Sequence, residues 1–279
     1  MPPPDPARVA HDVARALAED LGSGDATAAL VPVGRVTAHI VSKDGQPAVL
    51  AGTAWAEACF RTLDPDARIE WRCHDGESFV RGETLCTITG QARALLSAER
   101  SALNFLQTLS GTATVTATYV AAIAGTRCRI LDTRKTLPGL RYAQKYAVRA
   151  GGGSNHRIGL FDAVLIKENH VAAAGGIAAA VAAARALAPS LLLEVEVENL
   201  GELEQALEAA ADRIMLDEFS AEDRTRAVAL VKGRVPLEVS GNVTLDSIAE
   251  IARSGVDYIS VGAITKHVRA IDLSLRIAR

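Results

Sequence analysis

The second half of the sequence repeats one unit, in which a short apolar segment is followed by a polar or glycine-containing segment and then by a helical pattern. In one of these helical stretches Leu200, Leu203 and Leu207 recur on a single face, as in an amphipathic helix. Repeated strand–helix units predict a parallel sheet that is covered by helices. The predicted strands are residues 129–131, 163–166, 191–195, 213–216, 237–239 and 258–261.

Polar residues directly follow nearly every predicted strand, which favours a closed barrel over an open sheet. In a parallel barrel all strand ends meet at one mouth, whereas in an open sheet the site gathers at one switch point. The last two strands run into glycine turns at 240–242 and 261–263, where barrels commonly bind phosphate. The region 111–270 is too short for eight units, which need about 250 residues. We therefore expect fewer than eight strands.

The first 125 residues follow a different pattern. Asp5 is a candidate helix N-cap, and Pro6 suits the first helical position. Residues 35–90 alternate apolar and polar side chains between glycine turns, which predicts short strands joined by turns. Residues 92–124 predict a helical stretch that is broken or kinked at Gly111.

Charge and cysteine content exclude several classes of protein. The 30 Lys and Arg against 33 Asp and Glu give a net charge of -3, so a globally basic nucleic-acid-binding protein is not expected. The four cysteines are widely spaced without a CxxC pair, which argues against a zinc site and favours a reducing, cytoplasmic compartment. Residues 171–189 are mostly Ala and Gly with Arg185 among them, which indicates a soluble helix and no membrane partner.

The densest group of chemically useful residues follows the first predicted strand. Arg134 and Lys135 are adjacent cations that suit a carboxylate or a phosphate, although a solvated pair of loop charges gives the same pattern. Three glycines at 151–153 are followed closely by His156 and Arg157, which add two more donors for an anion. Simple termination of the preceding helix also accounts for the glycines.

The next strands end in one cation and two acids. Lys167 suits either a Schiff base or an anion ligand. Glu196 and Asp217 suit a Mg²⁺ ion held through its waters, sugar hydroxyls, or ion pairs with the cations. Glu194 and Glu198 share the strand face of Glu196, so periodicity leaves open which of the three points inward. Cations concentrated at strand ends favour a small substrate with several negative charges.

Longer motifs in this chain match a known family. They include ILDTRKTLPGLR at 130–141, KYAVRAGGGSNHR at 145–157 and DAVLIKENH at 162–170. Further matches lie at 19–27, 95–104, 109–114, 194–199, 215–217, 239–242 and 256–263. The sequence resembles the quinolinate phosphoribosyltransferases, and the resemblance spans most of the chain.

This resemblance implies an α/β fold with two domains. Residues 1–110 would form an N-terminal α/β sandwich domain, and residues 111–270 an incomplete TIM-like α/β barrel with the catalytic site. Residues 271–279 would pack back on the N-terminal domain. The family further implies a homodimer whose active sites are shared between subunits.

The resemblance also implies a pentosyltransferase reaction. Quinolinate and phosphoribosyl pyrophosphate would give nicotinate mononucleotide, CO₂ and pyrophosphate with Mg²⁺, a step of de novo NAD biosynthesis. By the family's motifs, Arg134, His156 and Arg157 would bind quinolinate, with Arg100 supplied by the partner subunit. The catalytic residues on the phosphoribosyl side would be Lys135, Lys167, Glu196 and Asp217, and the last two would hold Mg²⁺, partly through substrate and water. The remaining substrate contacts would come from Thr133, Ser240, Gly241, Asn242, Val261, Gly262 and Ala263.

Three other interpretations stay open at this point. A related phosphoribosyltransferase would use another heterocyclic base. An aldolase-like enzyme would use Lys167 as a Schiff base. A catalytically silent relative would bind a metabolite as a sensor, but it would be expected to lack Arg134, His156 or one of the acids, and all are present.

Overall fold

The computed structural model describes residues 1–278, and the chain divides into two compact units. The first unit contains residues 1–117, 136–152 and those from 263 onward, and the second contains residues 118–135 and 153–262. The domain boundaries expected from the sequence, at 110 and 270, stay a prediction. Arg279, the last residue of the expected C-terminal segment, lies outside the described residues.

Helices and strands are numbered here in chain order. The helices are α1 (Pro6–Leu21), α2 (Thr53–Leu63), α3 (Ala92–Ala122), α4 (Arg141–Ala150), α5 (Glu168–Ala174), α6 (Ile177–Leu187), α7 (Leu200–Glu208), α8 (Ala221–Val231), α9 (Leu245–Arg253) and α10 (Ala263–Lys266). The strands are β1 (Arg35–Ser42), β2 (Ala48–Val49), β3 (Arg68–Trp71), β4 (Ser78–Phe79), β5 (Thr84–Gln91), β6 (Arg129–Leu131), β7 (Val164–Ile166), β8 (Leu193–Val197), β9 (Arg213–Asp217), β10 (Leu237–Ser240), β11 (Tyr258–Ser260) and β12 (Leu273–Ile277).

The first unit is built on a four-stranded antiparallel sheet in the order β12-β1-β5-β3. Strand β12, near the C-terminus, pairs with β1 over Ala38–Ser42. Helix α1 begins as predicted, because the Asp5 side chain accepts a hydrogen bond from the Ala7 N–H at 2.9 Å and Pro6 occupies the first turn.

Two expectations for the first unit were wrong. Residues 35–90 do not form strands alone, since helix α2 follows β2 and precedes β3 in the chain. Its side chains Trp55 and Phe60 are buried. Gly111 does not break α3, which runs through it without interruption. A Cβ at Gly111 would lie 2.2 Å from the Arg269 carbonyl oxygen, so the glycine allows two backbones of this unit to approach closely.

The second unit contains six parallel strands in the order β6-β11-β10-β9-β8-β7. Each strand from β7 to β10 pairs with the next one in the chain, and β11 then pairs with β6, the first strand of this sheet. This circular order is that of a barrel and not of a doubly wound open sheet. The prediction of an incomplete α/β barrel with fewer than eight strands is therefore confirmed.

In the described residues the circle is open only between β6 and β7. A loop segment covers part of this gap, because Ser154 donates its N–H to the Ile130 carbonyl at 2.8 Å and its carbonyl accepts from the Asp132 N–H at 3.2 Å. We call residues 154–157 the seam segment. It holds two of the predicted substrate ligands, His156 and Arg157, beside the first strand.

The Ala- and Gly-rich stretch is two helices where the sequence suggested one. Helices α5 and α6 meet at Gly175 and Gly176 with a bend of 92°. Among residues 1–278 no single helix is long and apolar enough to cross a bilayer, and only this bent pair satisfies that test, by length and composition alone.

Candidate active site

Most predicted site residues lie at the carboxyl ends of the barrel strands in the second unit. Parallel strands bring these ends to one edge of the sheet. Residues 133–135 follow β6, Lys167 follows β7, Glu196 is in β8, and Asp217 ends β9. Ser240 ends β10, with Gly241 and Asn242 after it, and Val261 and Gly262 follow β11. The other two predicted ligands belong to the first unit, where Arg100 is an exposed residue of α3 and Ala263 begins α10.

Three glutamates were indistinguishable by periodicity, and the structure separates them. Glu194 is 1% exposed inside the barrel, Glu196 is half-buried near the strand end, and Glu198 is exposed. Because Glu194 and Glu196 are two residues apart in β8, both face the same side of the sheet. Glu198 lies beyond the end of that strand.

Glu196 is paired with a cation. Its Oε2 accepts a hydrogen bond from Lys167 Nζ. Burial raises the pKa of the Glu196 carboxyl, the Lys167 contact opposes this, and the neighbouring charge of Asp217 raises the pKa further. A lysine paired with a carboxylate suits anion and metal-site chemistry, and nothing in this arrangement calls for a Schiff base.

The side chain of His156 is only 8% exposed, and its two ring nitrogens have different surroundings. Nδ1 accepts a hydrogen bond from the Arg157 N–H at 2.7 Å. Nε2 lies 2.9 Å from Glu194 Oε2 and 3.6 Å from Glu238 Oε1. Since Nδ1 is an acceptor, a neutral ring carries its proton on Nε2, which faces the two acids.

Asp132 holds the seam segment in place. This carboxylate is fully buried at the end of β6 and accepts hydrogen bonds from the His156 N–H at 2.9 Å and from Asn155 Nδ2 at 2.6 Å. The sequence places Asp132 among the polar residues that follow strands, but it gave no reason to assign it a role. Its function here is to fix the backbone that carries His156 and Arg157.

A buried acid pair at the barrel centre was missed from the sequence. Burial raises the pKa of both Glu194 and Glu238, and that of Glu238 reaches about 8 because the Glu194 charge adds to the effect. Arg213 Nη1 donates to Glu238 Oε2 at 3.2 Å, and its guanidinium lies 4.4 Å from the centre of the Tyr258 ring. The sequence did contain one indication of this pair, because Glu238 lies between Leu237 and Val239 in an otherwise apolar strand.

The ligand atoms of His156, Glu194 and Glu238 lie within 4.8 Å of one another, a spacing that would suit a metal ion. The histidine argues against one. Its Nδ1 already accepts the Arg157 N–H, so the proton is on Nε2, the atom that faces the acids. Glu196 and Asp217 are the better candidates for holding a divalent cation. The two carboxyl groups are close enough for the Asp217 charge to raise the pKa of Glu196.

The turn after β10 has two successive residues with positive φ. Gly241 has φ +93°, and a Cβ there would lie 2.8 Å from Glu218 Cγ, so the position requires glycine. Asn242 has φ 45° and donates from Nδ2 to Glu218 Oε1 at 2.9 Å. A cavity of about 350 Å³ opens at this turn. It is lined in part by Ser240, Gly241, Asn242, Phe219 and Arg224.

The turn after β11 contacts one of the predicted catalytic cations. A Cβ at Gly262 would lie 3.1 Å from Lys135 Cδ, so the stem of Lys135 packs directly on this glycine. The backbone N–H of Lys135 donates to Thr133 Oγ1 at 3.0 Å. Lys135 itself is exposed at the strand ends.

An incomplete barrel with cations, acids and a glycine turn at its strand ends is typical of barrel enzymes that act on small phosphorylated substrates. Two family models match the chain: the C-terminal domain of quinolinate phosphoribosyl transferase over residues 112–276 and its N-terminal domain over residues 25–110. The chain belongs to the quinolinate phosphoribosyltransferase family, as its motifs predicted.

Individual relatives agree with the family models. The chain is 45% identical to a nicotinate-nucleotide pyrophosphorylase (carboxylating) of Mycobacterium leprae, over 94% of this chain and 95% of that protein. It is 41% identical to a quinolinate phosphoribosyltransferase (decarboxylating) of Nicotiana tabacum, over 94% and 80% of the two chains. The solved nicotinate-nucleotide pyrophosphorylase of Francisella tularensis superposes with a TM-score of 0.95 at 50% identity and covers 98% of this chain and 97% of its own.

Proposed function

We propose that this enzyme transfers the phosphoribosyl group of phosphoribosyl pyrophosphate to the ring nitrogen of quinolinate, with loss of the 2-carboxylate. The products are nicotinate mononucleotide, CO₂ and pyrophosphate, which places the enzyme in de novo NAD biosynthesis. The observation that carries this proposal beyond family membership is a pair of like charges. Arg134 and Arg157 are both half-buried, and after burial itself the Arg134 charge is the largest cause of the lowered pKa of Arg157.

Two guanidinium groups held close together repel each other, and a bound anion reduces this repulsion. A dicarboxylate such as quinolinate relieves this repulsion at two points, because arginine binds a carboxylate through paired donors. In this proposal Arg134, His156 and Arg157 bind quinolinate. Arg100 of a second subunit completes the set in a homodimer with shared sites.

The phosphoribosyl side is assigned to residues at the neighbouring strand ends. Lys135, Lys167, Glu196 and Asp217 hold the ribose and the pyrophosphate. Glu196 and Asp217 fit a Mg²⁺ ion, since two neighbouring carboxylates are hard oxygen ligands whose repulsion a cation removes. When bound, Mg²⁺ would neutralise part of the charge of the leaving pyrophosphate.

The 5-phosphate is assigned to the two glycine turns. The turn of Ser240, Gly241 and Asn242 borders the 350 Å³ cavity, which has room for a phosphate group. Thr133, Val261, Gly262 and Ala263 complete this side of the site by their position at and after the neighbouring strand ends.

The chemistry follows from these positions. The ring nitrogen attacks ribose C1 while pyrophosphate departs, so positive charge develops on the ribose and negative charge on the leaving group. The ammonium groups of Lys135 and Lys167 stabilise the leaving group because they are already in place when the charge develops. The pyridinium formed by the transfer then stabilises the carbanion left when CO₂ departs, and C2 takes up a proton. With few cysteines and a small anionic substrate, we assign the enzyme to the cytoplasm.

The direct test is the release of CO₂ by the purified protein with quinolinate, phosphoribosyl pyrophosphate and Mg²⁺. Nicotinate has one carboxylate and lacks the second charge-assisted contact that quinolinate would make, a loss of several kcal/mol. We therefore expect kcat/KM with quinolinate to exceed the value with nicotinate by more than about a hundredfold. Comparable pyrophosphate release from nicotinate, or from another heterocyclic base, would assign the enzyme to that base instead.

A further inference from the structure

Gln144 is a fully buried polar residue of α4 to which the reaction assigns no role. Both the oxygen and the nitrogen of its side-chain amide form hydrogen bonds. Oε1 accepts a hydrogen bond from the Leu137 N–H at 2.7 Å, and Nε2 donates to the Thr265 carbonyl at 2.8 Å. A longer contact of 3.4 Å joins Nε2 to Thr112 Oγ1 on α3. All four residues belong to the first unit.

The two backbone partners of Gln144 occupy corresponding places in the chain. Leu137 comes two residues after Lys135, in the segment that leaves β6. Thr265 comes two residues after Ala263, in the segment that leaves β11. Strands β6 and β11 are hydrogen-bonded neighbours, so Gln144 ties together the segments that continue from two adjacent strand ends.

The same two segments also touch within the second unit, where Lys135 packs on Gly262. They are therefore joined twice: by this side-chain contact directly at the strand ends, and by the Gln144 amide a few residues further along. A contact between a flexible lysine stem and a glycine does not fix the relative orientation of the two segments. A pair of hydrogen bonds to backbone groups does, because hydrogen bonds are directional.

We propose that Gln144 is a positioning residue that fixes the spacing of the two segments carrying Lys135 and Ala263, and so shapes the half of the site that takes phosphoribosyl pyrophosphate. This inference rests on the proposed function, which assigns both residues to that substrate. Gln144 acts through the backbone and does not itself touch substrate.

The amide is specific to this task. One partner is an N–H donor and the other a carbonyl acceptor, so the side chain must offer both an acceptor and a donor. Glutamate keeps the acceptor and loses the donor, and methionine has nearly the same shape and neither. Either change leaves a buried backbone group without its hydrogen bond, which favours a shift of the segment concerned.

The test compares Gln144→Met with Thr112→Val, a matched control that removes a hydroxyl from the same buried cluster but leaves both backbone hydrogen bonds. Each variant is first checked for folding by circular dichroism and thermal unfolding. The readouts are the KM for each substrate, kcat, and calorimetric binding of phosphoribosyl pyrophosphate with Mg²⁺ and of quinolinate alone.

We expect Gln144→Met, which loses both backbone hydrogen bonds, to weaken phosphoribosyl pyrophosphate by roughly tenfold, in KM and in direct binding. Quinolinate binding should stay within about twofold of the parent, and Thr112→Val should leave both substrates within that limit. An equal loss for both substrates, or no loss in a folded Gln144→Met protein, would overturn the proposal.

If Gln144→Met does not fold, Gln144→Glu decides, since it keeps the hydrogen bond to Leu137. Selective weakening of phosphoribosyl pyrophosphate in that variant supports the positioning role, and uniform weakening overturns it. The parent enzyme is measured alongside. If it releases no CO₂ from quinolinate, the proposed function fails, and this inference fails with it because the assignment of Lys135 and Ala263 is then lost.

Discussion

At the centre of the barrel, Glu238 is a single residue whose protonation affects the whole fold. It is 0% exposed, and its pKa is raised to about 8, first by burial and then by the Glu194 charge. The folded protein therefore keeps a proton on Glu238 that the unfolded chain releases near its ordinary pKa of 4.5. Because the folded state binds more protons between these values, the free energy of unfolding should fall as pH rises from about 4.5 to about 8.

Glu238→Gln should remove much of this pH dependence, since the amide stays neutral while resembling the protonated carboxyl. We expect the free energy of unfolding in urea to fall less for the variant than for the parent between pH 5 and pH 8.5, by on the order of 2 kcal/mol. Glu198→Gln, at an exposed carboxyl just beyond the end of β8, is the control and should follow the parent. Parallel curves for Glu238→Gln and the parent would show that another group titrates.

The residues that were predicted lie at the ends of the barrel strands, whereas those that were missed lie within the strands. Arg134, Lys167 and Asp217 were recognisable because polar side chains directly after apolar strands indicate the mouth of a barrel. Glu194 and Glu238 sit within strands, where periodicity tells which face a side chain is on but not whether that face is filled with other polar groups. Their contacts with His156 bring together two strands, β8 and β10, and the seam segment, and no local sequence pattern predicts such contacts.

At the scale of elements, strand positions were predicted more accurately than helix continuity. The six barrel strands lie within two residues of their predicted ends because each is a short apolar run bounded by polar or glycine residues. Helix α2 was missed because the alternating segments on either side dominated the pattern of residues 35–90, although Trp55, Ala56, Cys59 and Phe60 have helical spacing and are all buried. Gly111 was read as a break, but its role depends on Arg269, 158 residues later in the chain.

Gly111→Ala tests that role. Alanine is the better helix former by about 1 kcal/mol, so an ordinary helical glycine would be stabilised by the change. Here the new Cβ would lie 2.2 Å from the Arg269 carbonyl oxygen, a backbone atom that cannot rotate away. We expect the free energy of unfolding to fall by about 2 kcal/mol.

The matched control is Gly45→Ala, since Gly45 is in the same unit and a Cβ there meets nothing within 4 Å. Its effect on the urea midpoint should stay within about 0.5 kcal/mol of the parent. A gain in stability for Gly111→Ala would mean that the close approach of the two backbones is not tight.

At the scale of the whole molecule, the circular strand order is the feature that the sequence supported least directly. Repeated strand–helix units predict parallel strands, but only the pairing of β11 with β6 distinguishes a barrel from an open sheet. The polar residues after successive strands favoured a barrel because they require a common mouth. The homodimer is a prediction that rests on the family resemblance and on the position of one residue.

That residue is Arg100. On α3, the neighbouring Leu103 and Leu106 are 1% and 0% exposed and anchor the helix, while Arg100 is exposed and makes no hydrogen bond or ion pair within residues 1–278. A rigid helix that presents an exposed arginine is suited to completing the site of a second copy. In a two-fold dimer each subunit would supply its Arg100 to the other.

Mixing two inactive variants tests whether the site is shared. In a shared site, the homodimers of Arg100→Ala and of Arg134→Ala each have two defective sites, whereas a heterodimer has one doubly defective site and one native site. With random exchange half of the dimers are heterodimers, so unfolding and refolding the variants together should restore roughly a quarter of the parental CO₂ release. Heterodimer formation is verified with two affinity tags, and each variant refolded alone is the control. If proven heterodimers show no recovery, Arg100 acts within its own subunit or has no part in the site, and the shared-site dimer is wrong.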